Sequence, residues 1–129
     1  MKTIKQSVYF NASPHDVFEL LVDSKEHAAF TGAEATVSRK TGGRFTAYDG
    51  WIDGKNLDIV TDKRIVQAWR GKDWQPGYFS RVEFKLTKKG KGCQLIFVHR
   101  GVPDSKYRDI NQGWKHNYWE KMKEYLKGK

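Results

Sequence analysis

Six apolar or aromatic side chains, Tyr107, Ile110, Trp114, Tyr118, Met122 and Tyr125, recur at intervals of three and four near the C-terminus. That spacing predicts one face of a helix of about five or six turns, from roughly Ser105 to Leu126. The opposite face carries Lys106, Asp109, Lys115, Glu120 and Lys127. Such a helix is not stable alone. Its aromatic-rich stripe has to be buried against a wide apolar surface, and the rest of the chain has to supply it.

What precedes the helix is mostly strand and turn. In Thr3 to Phe10, Ile4, Gln6, Val8 and Phe10 alternate with Lys5, Ser7 and Tyr9, so one face is mostly apolar. Ser13, Pro14 and Asp16 form the start signal of a short helix carrying Val17, Phe18, Leu20 and Leu21. Asp23, with Glu26 three residues on, caps a second short helix that runs to Phe30 and stops at Thr31-Gly32. Strands are then predicted over Ala35–Arg39, Arg44–Tyr48, Trp51–Val60, Arg64–Arg70, Tyr78–Leu86 and Cys93–Arg100. Asp49-Gly50 reads as a two-residue hairpin turn, and Gly54 as a bulge. Val82, Phe84 and Leu86 share one face of their strand, and Leu95, Phe97 and His99 one face of the next. The fold class is therefore α+β: a curved antiparallel sheet of about six or seven strands, two short helices, and a long C-terminal helix laid over the sheet. No linker, repeat or low-complexity tract interrupts the pattern, so residues 1–129 are read as one domain.

Composition narrows the function classes. Aromatic residues make up 14% of the chain, which lets a sequence only 38% hydrophobic build a core or line a cavity. Cys93 is the one cysteine, so no intramolecular disulfide forms and a reducing compartment is expected. The start, MKTIKQSVYFN, lacks the apolar run of a signal peptide, and no stretch approaches the roughly 20 apolar residues of a membrane span. A cytoplasmic location follows as an expectation. The formal net charge of +9 is spread along the chain. Its only local cluster, Lys85, Lys88, Lys89 and Lys91, falls at a hairpin tip, so nucleic-acid binding ranks last among the readings.

The chemistry-bearing residues form no recognisable catalytic or metal motif. His15, His27, His99 and His116 are too scattered for a ligand pair, and Gly42-Gly43 lacks the remainder of any phosphate loop. No cofactor is implied. Cys93 reads as a small buried residue. His99 points toward the helix by strand parity. It is either a half-buried side chain bonded to a helix residue such as Asn117 or Tyr118, the preferred reading, or the polar anchor of a ligand cavity. A curved sheet gripping a helix can leave such a cavity. The residues expected to line it are Phe45, Trp69, Val82, Phe84, Leu95, Phe97, His99, Trp114, Tyr118 and Met122. Trp69 reads as core or cavity wall, and Trp74, in a loop before Pro76, as a rim residue.

Several stretches, in order, carry a resemblance. They are Ser13-Pro-His-Asp-Val-Phe, Gly42-Gly-Arg-Phe, Asp49-Gly-Trp-Ile-Asp-Gly, Ile65-Val-Gln-Ala-Trp-Arg, Gly77-Tyr-Phe-Ser-Arg-Val, Arg100-Gly-Val-Pro and Gly113-Trp. Together they resemble the activator of heat-shock protein 90 ATPase homologue family, of its C-terminal domain type. That family belongs to the START-like superfamily with the birch-pollen-allergen, or helix-grip, fold. The resemblance spans Ile4 to Leu126. It implies a helix-grip fold, a chaperone-associated stress protein, and heat-shock protein 90 as a partner. The separate N-terminal domain of the co-chaperone has no room in 129 residues, so activation of the ATPase is not carried over with it.

The leading expectation is a non-enzymatic binding module. It would hold a hydrophobic small molecule between sheet and helix, or contact a chaperone through its surface. A filled space under the helix would favour the second branch. The alternative is a cyclase- or hydrolase-type enzyme with His99 as general base or acid, helped by Tyr48 or Tyr118.

Overall fold

The computed structural model describes residues 1–128. Strand β1 (Lys2–Phe10) is followed by two helices, α1 (Pro14–Val22) and α2 (Ser24–Thr31). Six strands come next: β2 (Thr36–Val37), β3 (Arg44–Ala47), β4 (Ile52–Val60), β5 (Arg64–Gly71), β6 (Ser80–Lys89) and β7 (Gly92–Val102). One 3-10 turn (Asp104–Lys106) then leads into the C-terminal helix. This helix consists of α3 (Tyr107–Trp114), a π-helical segment (Lys115–Trp119) and α4 (Glu120–Lys127). The strands form one antiparallel sheet in the order β1-β7-β6-β5-β4-β3-β2. This is the helix-grip α+β architecture expected from the sequence.

The caps work as their residue types predict. Ser13 accepts the amide of Asp16 at 3.1 Å, with Pro14 opening α1. Asp23 serves both short helices: its amide donates to Glu19 of α1, and its carboxylate accepts the amide of Glu26 in α2 at 3.0 Å. The inner face of the sheet is set by cross-strand rows. Val82 lies opposite His99, Phe84 opposite Phe97 and Leu86 opposite Leu95. Ile65 and Gln67 continue two of these rows into β5, opposite Phe84 and Val82.

Three local expectations need correction. The Asp49-Gly50 turn is not a two-residue hairpin. Ala47 pairs with Ile52, so Tyr48 to Trp51 form a four-residue loop, with φ of 50°, 58° and 88° at Tyr48, Asp49 and Gly50. Two outside contacts hold this left-handed run. Asp49 exchanges hydrogen bonds with the backbone of Glu34, and the Tyr48 hydroxyl donates to the Asn117 carbonyl of the C-terminal helix. The bulge lies at Leu57, between the Asn56 and Asp58 pairs, and not at Gly54. Gly54 stays in register with Phe45 and Trp69; a Cβ there would stand 1.9 Å from the Ala68 carbonyl oxygen. The predicted strand over Ala35–Arg39 shortens to Thr36–Val37.

The C-terminal helix follows the predicted stripe but with one extra residue in a turn. The Glu120 amide donates to the Lys115 carbonyl, five residues back. This widening brings Trp119 onto the buried face, stacked on Trp114 with centroids 5.7 Å apart and planes 20° apart. In a continuous α-helix a residue five positions on would point well away from Trp114.

Two glycines should respond oppositely to alanine. Gly54→Ala drives a methyl group into backbone and should cost about 3 kcal/mol in urea unfolding. Gly113→Ala meets only the Asn117 side chain at 3.6 Å and, within a helix, should stabilise by about 0.5–1 kcal/mol.

Candidate functional site

Trp114 is the hub beneath the helix. Its ring centroid lies 4.4 Å from Phe97, 4.7 Å from Tyr118, 5.5 Å from Trp69 and 5.9 Å from Phe84. Its indole nitrogen donates to Nδ1 of His99 at 3.1 Å. The other ring nitrogen of His99, Nε2, lies 2.7 Å from the Ser80 hydroxyl, which donates to the Trp69 carbonyl at 2.7 Å. These partners fix the tautomer. Nδ1 accepts, so Nε2 carries the proton and donates a hydrogen bond to the Ser80 oxygen. His99 is fully buried, and burial pushes its pKa down to about 3. It is bonded to the helix as expected, but through Trp114 and not through Asn117 or Tyr118.

A second polar cluster closes the other side of the hub. The Tyr118 hydroxyl lies 3.0 Å from Nε2 of His27 on α2, and both side chains are buried. Burial pushes His27 down to about 4, against the opposing pull of the Leu20 and Leu21 backbone. Burial also raises the Tyr118 phenol far above its ordinary value and Tyr48 to about 12. His99, Tyr118 and Tyr48 are thus neutral at pH 7, and each is committed to a separate partner: Trp114 and Ser80, His27, and the Asn117 carbonyl.

The space directly under the helix is closed. About 10 Å³ remains among Leu21, His27, Phe45, Gln67, Phe84 and Trp114, the lower limit for a single water. Val82, Leu95, Phe97, His99 and Met122 are completely buried in the packed core, with Phe45 and Phe84 nearly so. Only Trp69, Trp114 and Tyr118 of the expected cavity residues also line open space. They border a cleft of about 440 Å³ between the Tyr48–Ile52 loop on one side and Asp109, Ile110, Gly113 and Asn117 on the other. Trp51, 38% exposed, forms its outer lip.

Sequence reading passed over Trp51, Trp119, His27 and the polar pair Asn56–Gln67. Asn56 and Gln67 are buried and bonded to each other at 3.1 Å. Strand parity with Ile65 and Trp69 was the available signal for Gln67. Gln6, already placed on the apolar face of β1, accepts the Trp119 indole N–H and donates to Asn111. Trp74 is not a rim residue. It is 4% exposed and packs edge-on against Trp69 at 5.4 Å. Among the described residues, no group of three or more His, Cys, Asp or Glu could hold a metal ion, and no helix is long and apolar enough to cross a membrane.

This arrangement of sheet and gripping helix recurs in known proteins. The family model described as Activator of Hsp90 ATPase homolog 1-like protein matches residues 11–127. The chain belongs to this family. It is 32% identical over 122 residues to the human activator of 90 kDa heat shock protein ATPase homolog 1. It is also 32% identical over 123 residues to the activator of 90 kDa heat shock protein ATPase homolog of Dictyostelium discoideum. Each match covers 95% of this chain but only 36% and 32% of those proteins, so the chain spans about a third of the length of the curated relatives it matches. Among solved structures, an HSP90 activator from Plasmodium falciparum shares the fold with a TM-score of 0.91 at 24% identity, covering 98% of this chain and 96% of that one. The Aha1 dimer from Colwellia psychrerythraea does so with a TM-score of 0.75 at 16% identity, covering 89% of each chain.

The two buried histidines generate a pH dependence. Unfolded, each takes up a proton near pH 6.5; folded, His99 and His27 resist protonation down to about 3 and 4. The unfolded state therefore binds more protons in this window, and stability falls as pH falls from about 6.5. Between pH 7 and pH 5 each histidine should remove about 2 kcal/mol, read by urea unfolding at the two pH values. His99→Gln or His27→Gln should abolish about half of that difference. The His99 ring resonances should not titrate between pH 8 and 5.

Proposed function

We propose that this chain is a non-enzymatic binding domain that associates with a heat-shock protein 90 chaperone through its surface. The observation that supports this reading is the closed interior. A ligand under the helix would have to displace Trp114 and Trp119 from rings they already touch, whereas a protein partner needs only exposed surface. The partner is inferred from family membership: curated relatives carry the name of activators of the 90 kDa heat shock protein ATPase. The commitment of His99, Tyr118 and Tyr48 to structural hydrogen bonds favours binding over catalysis. The test is to mix the purified chain with the heat-shock protein 90 of the same organism. Calorimetry should detect a complex. No complex would overturn the proposal.

The cleft supports a second reading, in which an apolar small molecule binds at the surface end of the helix. Its walls are Trp51, Ile52, Trp69, Ile110 and Trp114, and about 440 Å³ falls within the range of small-molecule sites. Titration with fatty acids, sterols and flavonoids should quench tryptophan fluorescence and shift amide resonances at 50–52 and 110–118 only. Trp51→Ala should weaken that binding by about tenfold, the loss expected on removing one aromatic wall. Shifts spread over the whole sheet, or none, would remove this reading.

A further inference from the structure

The outer face of the sheet, turned away from the helix, carries charge that the core does not need. Strand register aligns Arg44 with Lys55, Lys55 with Ala68, Ala68 with Arg81, and Arg81 with Arg100. One row from β3 to β7 thus presents four cations across about 19 Å, at about 4.8 Å per strand. All four are exposed, and among the described residues none is ion-paired. The neighbouring acids are otherwise engaged: Asp53 faces Arg70 and Asp58 faces Arg64. Glu83 is half-buried between the rows, opposite Val66 and Val98. Like charges directly opposite each other destabilise a sheet. Arg44 against Lys55 and Arg81 against Arg100 are two such pairs.

The same face exposes apolar groups. Phe79 is 45% exposed and stacks on Arg70 at 6.0 Å, and Ile96 is 42% exposed. Arginine beside exposed aromatic and aliphatic groups is the composition of a protein interface. A continuous phosphate backbone fits it less well, because a uniformly charged polymer would leave the exposed Phe79 and Ile96 side chains uncovered. We propose that this face docks an acidic segment of a partner protein, laid across β3 to β7. The inference refines the chaperone-binding reading and rests on it only for the identity of the partner.

The experiment uses the intact chain and three probes: a twelve-residue peptide of alternating Glu and Ala, a twelve-residue oligo-dT, and the organism's own heat-shock protein 90. Amide shifts with the peptide should centre on the outward residues of β3 to β7, with affinity falling steeply between 50 and 300 mM salt as the screening length shortens from about 14 to about 6 Å. Arg81→Glu with Arg100→Glu should weaken peptide binding at least tenfold. The charge-matched control, Lys115→Glu with Lys121→Glu on the exposed helix face, should change it less than twofold. Arg81→Glu alone places opposite charges across from each other, so Tm should rise by about 2 °C while affinity drops, which separates lost binding from lost folding. Tighter binding of oligo-dT than of the peptide, or equal peptide affinity for both double variants, would overturn the proposal. Chaperone binding that survives Arg81→Glu with Arg100→Glu would overturn this face and leave the chaperone reading standing. Peptide binding at this face without chaperone binding would do the reverse.

Discussion

The indole N–H of Trp114, donated to His99 across the interior, ties together the parts of this fold that are most distant in sequence. It joins the C-terminal helix to β7, and through His99 and Ser80 it reaches the Trp69 carbonyl on β5. Every polar atom along this path has a partner. That satisfaction allows a histidine to sit fully buried amid rings without charge, since an unpaired imidazole there would carry a desolvation penalty of about 1–3 kcal/mol. The same contacts fix the height at which the helix crosses the sheet, and the aromatic groups around Trp114 pack to that height.

The π segment follows from the same constraint. Trp114 and Trp119 are both large and both face the sheet, where Phe97 and Phe84 receive them. A regular helix could bury one of the two rings on this line but not both. One added residue in the turn solves the geometry, and Gln6 on β1 accepts the second indole N–H. The consequence is a grip without a hollow. Most of the inner face of the sheet is packed, and the open surfaces that remain are the Trp51-lipped cleft, walled by Ile52, Trp69 and Trp114, and the cationic outer face of the sheet.

The same residues also invite an enzyme-like reading. His99, Tyr118 and Tyr48 are the side chains with the most displaced proton affinities, and such displacement often marks an active centre. Here its cause is burial in a packed core, and the partners of each group are structural.

Much of this was legible in the chain itself. The three-and-four spacing from Tyr107 to Tyr125 announced the gripping helix, strand parity put Leu95, Phe97 and His99 on one inner face, and Ser13 and Asp23 marked the caps they form. These are local signals, because periodicity and capping depend on neighbours a few positions away. The ordered motifs from Ser13 to Trp114 carried the family. Only the tertiary structure decided the rest: the extra residue that turns Trp119 inward, the opening of the Asp49-Gly50 turn to four residues, and the burial of Trp74. Tertiary structure also set the alignment of Arg44, Lys55, Arg81 and Arg100 into one row. Each of these depends on a partner far along the chain: Gln6 for Trp119, Asn117 for Tyr48, the neighbouring strand for each arginine. Side-chain direction within an element is written in the sequence next to it, whereas register between elements is settled only when distant surfaces pack.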